Sequence, residues 1–175
     1  MTTFIISAHA DDEVIGVGGT IAKLAKEEDV YVIIFSYGAN FLGRLTSWPI
    51  FLSKEELINR RVKESQKAGQ ILGVKHTFFL GLVGEDLEKE YDRTKREMLF
   101  DLFKQLKPQK VFFHSAKDAH KDHLFVNKIM HEFIPKVRYK LDIYTYQINL
   151  FDFATHDPKI TIDVSNEYGL KNKAL

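Results

Sequence analysis

Four short, uninterrupted apolar runs constrain what this chain can fold into: Phe4-Ile5-Ile6, Val30 to Phe35, Phe78-Phe79-Leu80 and Val111-Phe112-Phe113. Each is too short for a buried helix and rich in β-branched or aromatic side chains, so each reads as a strand covered on both faces. The expected strands are Phe4–Ser7, Asp29–Ser36, His76–Leu80, Lys110–His114 and Leu141–Gln147, with Lys159–Val164 as a sixth. Helical periodicity fills the gaps. Ile15–Lys26 is helix-like. Ser53–Leu72 opens on the capping-box pattern Ser53-Lys54-Glu55-Glu56, sets Leu57, Val62, Ala68 and Ile71 on one stripe, and stops at Gly73. Arg93–Leu106 runs up to Pro108, and His123–Phe133 ends before Pro135. Tyr37–Ile50 and Gly81–Tyr91 read as loops. Strands alternating with helices imply an α/β fold, a Rossmann-like three-layer sandwich with a mostly parallel sheet and helices on both faces.

At 175 residues the chain suits one domain over 1–175 and is too short to expect two. A net charge of +1 gives no case for a nucleic-acid partner or a membrane surface. No window holds the roughly 20 apolar residues of a membrane span, and Met1–Ser7 lacks the basic and apolar regions of a signal peptide, so a cytoplasmic protein is expected. With no cysteine, disulfides, thiolate ligands and a thiol nucleophile are excluded together.

Chemistry concentrates after two of the strands. Ala8-His9-Ala10-Asp11-Asp12-Glu13 follows the first, and Asp118-Ala119-His120-Lys121-Asp122-His123 follows the fourth. Acids gathered at a strand tip are costly unless something cationic sits among them. If both strands lie in one parallel sheet, their carboxyl ends share the edge where open α/β sheets bind ligands. Two imidazoles and a carboxylate then serve one divalent metal, with acids left over for proton transfer. Neighbouring side chains diverge, so only one of Asp11 and Asp12 points at the metal, and the residues alone do not say which.

These two segments resemble those of the LmbE-like (PIG-L) family of metal-dependent N-deacetylases. That family includes enzymes acting on N-acetylglucosaminyl-phosphatidylinositol and on the glycosyl precursors of mycothiol and bacillithiol. Arg61-Val62-Lys63-Glu64 with Ala68 and Leu72-Gly73, and Ile162-Asp163-Val164-Ser165 with Lys173-Ala174-Leu175, add to the likeness. The resemblance implies zinc, or ferrous iron in its place, on His9, Asp12 and His123. It makes Asp11 the general base. It makes His120, oriented and raised in pKa by Asp122, the acid or oxyanion-stabilising partner, and it puts Arg61 on substrate hydroxyls. It implies removal of an acetyl group from an N-acetylated sugar or glycoconjugate by attack of metal-activated water. Two departures stand out. Members commonly continue past a Lys-x-x-Ala-Leu segment, so a C-terminal extension is expected to be lacking here. Position 118 is Asp where the mycothiol-precursor enzyme has a tyrosine, which leaves the substrate open.

Blander readings stand beside these. The first acid cluster also suits a helix N-terminus, and Asp118 or Asp122 a helix cap. Gly16-Val17-Gly18-Gly19 lacks dinucleotide-loop spacing and follows acids that repel a pyrophosphate. Arg61 reads equally as a surface ion pair with Glu64 or Glu56. His114 reads as a satisfied core histidine or a group behind the site, and His76, His131 and His156 as structural or surface residues. Asn40–Pro49, with Phe41 and Trp48, is equally a lid or a homo-oligomer contact. The competing functions are a metal- or sugar-binding module without catalysis, and a non-haem Fe(II) oxygenase, whose sites usually sit in all-β barrels.

Overall fold

A computed structural model describes residues 1–46, 52–84, 86–148 and 159–175. Five strands form one sheet: β1 (Thr2–Ser7), β2 (Asp29–Ser36), β3 (His76–Leu82), β4 (Lys110–His114) and β5 (Asp142–Tyr146). Their order is β3-β2-β1-β4-β5, and every pairing is parallel. The chain builds outward from β1 to β3, then returns to seat β4 against the other side of β1. That reversal leaves a crevice at the carboxyl ends of β1 and β4.

The apolar runs are continuous because both faces are covered. Phe4, Ile6, Tyr31, Ile33, Phe35, Val111 and Phe113 pack toward α4 (Leu87–Glu90), α5 (Arg93–Leu106) and α6 (Lys121–Phe133). The alternate residues Ile5, Val30, Val32, Ile34 and Phe112 pack toward α1 (Asp12–Leu24) and α3 (Lys54–Leu72). The fold is therefore the expected three-layer α/β sandwich, and it is not the all-β barrel on which the oxygenase reading depends.

Ser53 closes the expected capping box with Glu56, and Gly73 ends α3 at φ +82°, a left-handed conformation that suits glycine. Two expected loops contain short helices, α2 (Phe41–Thr46) and α4. Lys159–Val164 is not a sixth strand. It pairs with no strand among the described residues, and a 3-10 turn at Ser165–Glu167 and α7 (Tyr168–Ala174) follow it. Its alternating Ile160, Ile162 and Val164 mimic strand periodicity, yet Ile160 is 70% exposed, while Val164 lies against Gly19 of α1. Trp48, His156 and the side chain of Phe41 lie outside the described residues, so the lid and oligomer readings of that loop are not addressed. No helix among the described residues is long and apolar enough to cross a membrane.

Candidate metal centre

The parallel β1–β4 pairing sets His9 and His114 at one sheet edge, and each strand feeds a helix whose first turn carries the acids. α1 starts at Asp12, with Asp11 at its N-cap, and α6 starts at Lys121, with His120 at its N-cap. Helix N-termini favour negative charge, which helps these carboxylates sit together.

Asp12 is the hub. Its Oδ2 accepts the His9 backbone N–H at 2.8 Å and lies 3.3 Å from both His9 Nδ1 and His123 Nε2. The far nitrogen of each imidazole meets a second carboxylate. His9 Nε2 is 3.0 Å from Asp122 Oδ2, and His123 Nδ1 is 3.0 Å from Asp118 Oδ1. Asp118 is itself fixed by the backbone N–H groups of His120 (3.1 Å) and Ile148 (3.2 Å). Asp12, Asp118, Asp122 and His123 are all buried.

The electrostatics fit a site built around positive charge. Burial alone pushes the His9 imidazole down, but hydrogen bonds and charge from Asp12 and Asp122 outweigh it and raise its pKa to about 10. Burial opposes ionisation of Asp12, yet the surrounding imidazoles, His123 and His9 among them, hold its carboxyl well below the usual range. Asp11 goes the other way: burial and the adjacent Asp12 raise it, with Arg61 pulling against them.

His120 departs from expectation. The Asp122 carboxylate turns to His9, and only the Asp122 backbone N–H meets His120, donating to its Nδ1 at 3.2 Å. Partial desolvation, then the charges of His9 and His123, lower the His120 pKa rather than raise it.

Arg61 faces the site. Its Nη1 is 3.9 Å from Asp11 Oδ2, while the neighbouring Arg60 takes Glu64 at 2.7 Å. A cleft of about 290 Å³ opens over these groups, with His9, Asp11, Asp12, Arg61, His120 and His123 on one side and Tyr37, Gly38 and Asn40 on the other.

Asp118 and Glu13 acquire roles that the sequence reading did not give them, and His114 takes up one of the two it was given. His114 is fully buried, stacks on His123 with ring centroids 3.9 Å apart, accepts the Ala8 N–H on Nε2 at 3.0 Å, and lies 3.2 Å from Asp12 Oδ2. Asp118 backs His123. Glu13 turns from the cleft toward Ser65 of α3 (3.4 Å); burial first, with the charges of Asp12 and Asp11, raises it to about 8. A histidine ending a strand beside the motif was a signal for His114. Nothing in the sequence separates Glu13 from its acidic neighbours.

The donors suit a borderline divalent metal. The nitrogens of His9, His120 and His123 lie within 4.8 Å of one another, as do the ligand atoms of Asp12, His114 and His123. Imidazole with carboxylate is the set that zinc or ferrous iron accepts, whereas magnesium and calcium prefer oxygen alone.

Comparison with known proteins adds the relatives. A family profile described as "PIG-L: GlcNAc-PI de-N-acetylase" matches residues 4–134. A diacetylchitobiose deacetylase of Thermococcus kodakarensis is 27% identical over 187 residues, covering 97% of this chain and 66% of the relative. The structure of N,N'-diacetylchitobiose deacetylase from Pyrococcus horikoshii, complexed with its inhibitor MPG, superposes with a TM-score of 0.81 at 26% identity, covering 99% of this chain and 67% of that one. A 4-carboxy-2-hydroxymuconate hydratase from Pseudomonas putida shares the fold, with a TM-score of 0.72 at 21% identity over 99% of this chain and 76% of that one. Fold likeness alone therefore does not choose the reaction. Among the curated relatives, the chain spans 66% of one and about half of others.

Proposed function

Because the chain belongs to the PIG-L family of GlcNAc-PI de-N-acetylases, we propose that it hydrolyses the acetamido group of an N-acetylated amino sugar or glycoconjugate at a metal held by His9, Asp12 and His123. The observation that carries this reading is the convergence of His9 and His123 on one oxygen of Asp12, each imidazole backed by a second carboxylate. Histidines that ligate catalytic metals are oriented in this way. His114 stands behind the ligands, because the Ala8 amide takes up its Nε2 lone pair.

Zinc, or ferrous iron, supplies the Lewis acidity that lowers the pKa of water and polarises an acetyl carbonyl. The chain's own groups do the rest. Asp11, exposed at the cleft and raised in pKa, takes a proton from the attacking water and returns it to the leaving amine. The proximity of Arg61 holds Asp11 in place and presents a guanidinium to substrate hydroxyls. His120 faces the cleft beside His9 and His123, where its ring N–H can donate to the carbonyl oxygen as charge develops there. Residues 37–40 form the opposite wall.

The test is acetate release from N,N'-diacetylchitobiose and N-acetylglucosamine by zinc-loaded protein, followed by mass spectrometry, with chelated protein as control. Metal-dependent release of acetate and free amine supports the reading. A protein that holds stoichiometric zinc, binds these sugars and releases no acetate favours the non-catalytic binding module instead.

A further inference from the structure

The opposite wall of the cleft is held from a distance. Glu90, the last residue of α4, turns its carboxylate back onto the loop that follows β3. The backbone N–H groups of Val83, Gly84 (3.2 Å) and Asp86 (3.1 Å) donate to it. That loop in turn grips the rim. Tyr37 N–H donates to Leu82 O at 3.0 Å, Ala39 N–H to Val83 O at 2.8 Å, and Asn40 Nδ2 to Gly84 O at 2.9 Å. Asn40 Oδ1 then accepts the Gly43 N–H at 2.7 Å, starting α2. There is little slack in this path: at Gly84, with φ +99°, an added Cβ would sit 2.6 Å from Ser36 Oγ and 3.4 Å from Gly38 Cα.

We propose that Glu90 is a positioning residue for substrate: by gathering Val83, Gly84 and Asp86 it fixes the rim at Ala39 and Asn40, beside Tyr37 and Gly38, and so sets affinity for the sugar without touching the metal centre. The physical ground is the number of donors it serves. Several backbone N–H groups converge on one carboxylate, and an ionised acceptor binds them about twice as strongly as a neutral one. A glutamine offers one carbonyl oxygen and sets an NH₂ against the remaining N–H groups. The loop then opens, and the hydrogen bonds that the Val83 and Gly84 carbonyls accept from the rim loosen with it. No element of the metal centre lies on this path.

This inference rests on the deacetylase reading for its kinetic arm and on geometry for the other. The experiment is Glu90→Gln, compared with wild type by amide hydrogen exchange, zinc affinity, and steady-state kinetics on N,N'-diacetylchitobiose. The expected result is exchange about tenfold faster at residues 37–43 as well as 83–86, unchanged zinc affinity, and KM raised by up to about tenfold with kcat nearly preserved. Faster exchange confined to 83–86, or an equal fall in kcat with KM unmoved, overturns the proposal. If Glu90→Gln does not fold, Asn40→Ala cuts the same path at the Gly84 carbonyl, and unchanged exchange at 37–39 in that variant overturns it. A wild type that releases no acetate refutes the deacetylase reading, while the exchange arm still decides whether Glu90 governs the rim.

Discussion

Replacing Asp122 and Asp118 by asparagine, one at a time, discriminates between two wirings of the metal centre. Asp122 Oδ2 lies 3.0 Å from His9 Nε2, and this carboxylate is 8% exposed, so its charge is little screened by water. A hydrogen bond to a charged group contributes about 1.5–3 kcal/mol, and asparagine retains a neutral acceptor worth about half of that. The loss of about 1–1.5 kcal/mol corresponds to zinc affinity weaker by about tenfold. Asp118 serves His123 Nδ1 and the backbone N–H groups of His120 and Ile148. An amide cannot accept at all three, so Asp118→Asn is expected nearer a hundredfold, the upper end for residues behind metal ligands. The assay is competition for zinc against a chromophoric chelator, with far-ultraviolet circular dichroism to confirm that each variant is folded. If both folded variants kept wild-type zinc affinity while Asp122→Asn lost turnover, the assignment of Asp122 to His9 would be refuted. Asp122 would then serve His120, as the family resemblance implies.

Other perturbations have equally definite outcomes. His123→Ala is expected to lose stoichiometric zinc, while Asp11→Ala keeps it and loses about 10²–10⁴-fold in turnover; elemental analysis beside acetate release checks both, and the reverse pattern would exchange the roles of ligand and base. Glu28, which accepts from Thr3 Oγ1 at 2.6 Å and from Lys110 Nζ, is held below its ordinary value of 4.5; burial works against this, but those two partners outweigh it. A lowered folded-state pKa means stability that is present above pH 4.5 and lost as pH falls through the folded value. Glu28→Gln is therefore less stable than wild type in urea melts at neutral pH, and the gap closes in acid; a constant gap would contradict this. Gly19→Ala places a methyl 2.7 Å from Val164 Cγ2, so it costs about 1–3 kcal/mol by overpacking, unless denaturant melts show that the 163–167 segment moves aside freely.

The sequence was legible where one physical signal dominated. Asp29–Ser36, Arg93–Leu106 and Lys110–His114 have the same limits by pattern as in the structure, because burial on both faces, a cap and a following proline leave no alternative. Short elements such as α2, α4 and α7 lack a full period of apolar spacing and were not readable. Residues 159–164 misled for the opposite reason, having strand periodicity without a strand to pair with. At the site, motif order put His9, His123 and one of Asp11 and Asp12 at one sheet edge, and only the family resemblance selected Asp12. Which carboxylate faces which imidazole is a matter of helix phase: Asp122 sits two residues past the N-cap and turns to His9, and Asp118 precedes the helix and turns to His123. Spacing along the chain does not encode that. Arg61 and Arg60 are likewise interchangeable on paper; their rotation about α3 decides that one meets Asp11 and the other Glu64.

The chain reversal between β3 and β4 also bears on how the molecule reaches its final state. His9 and Asp122 are 113 residues apart, and they meet only once β4 has docked beside β1. During synthesis, the β1–β3 half emerges first and carries His9, Asp11 and Asp12 with nothing to hold. The proposed ion, bound across the seam, would act as a clasp between an early and a late half. If it bound the assembled state alone, at a thousandfold excess over its dissociation constant it would add about 4 kcal/mol to that state. On the proposed function, metal capture would therefore also report on folding, because a chain whose second half has docked out of register would not bring His9 and Asp122 together.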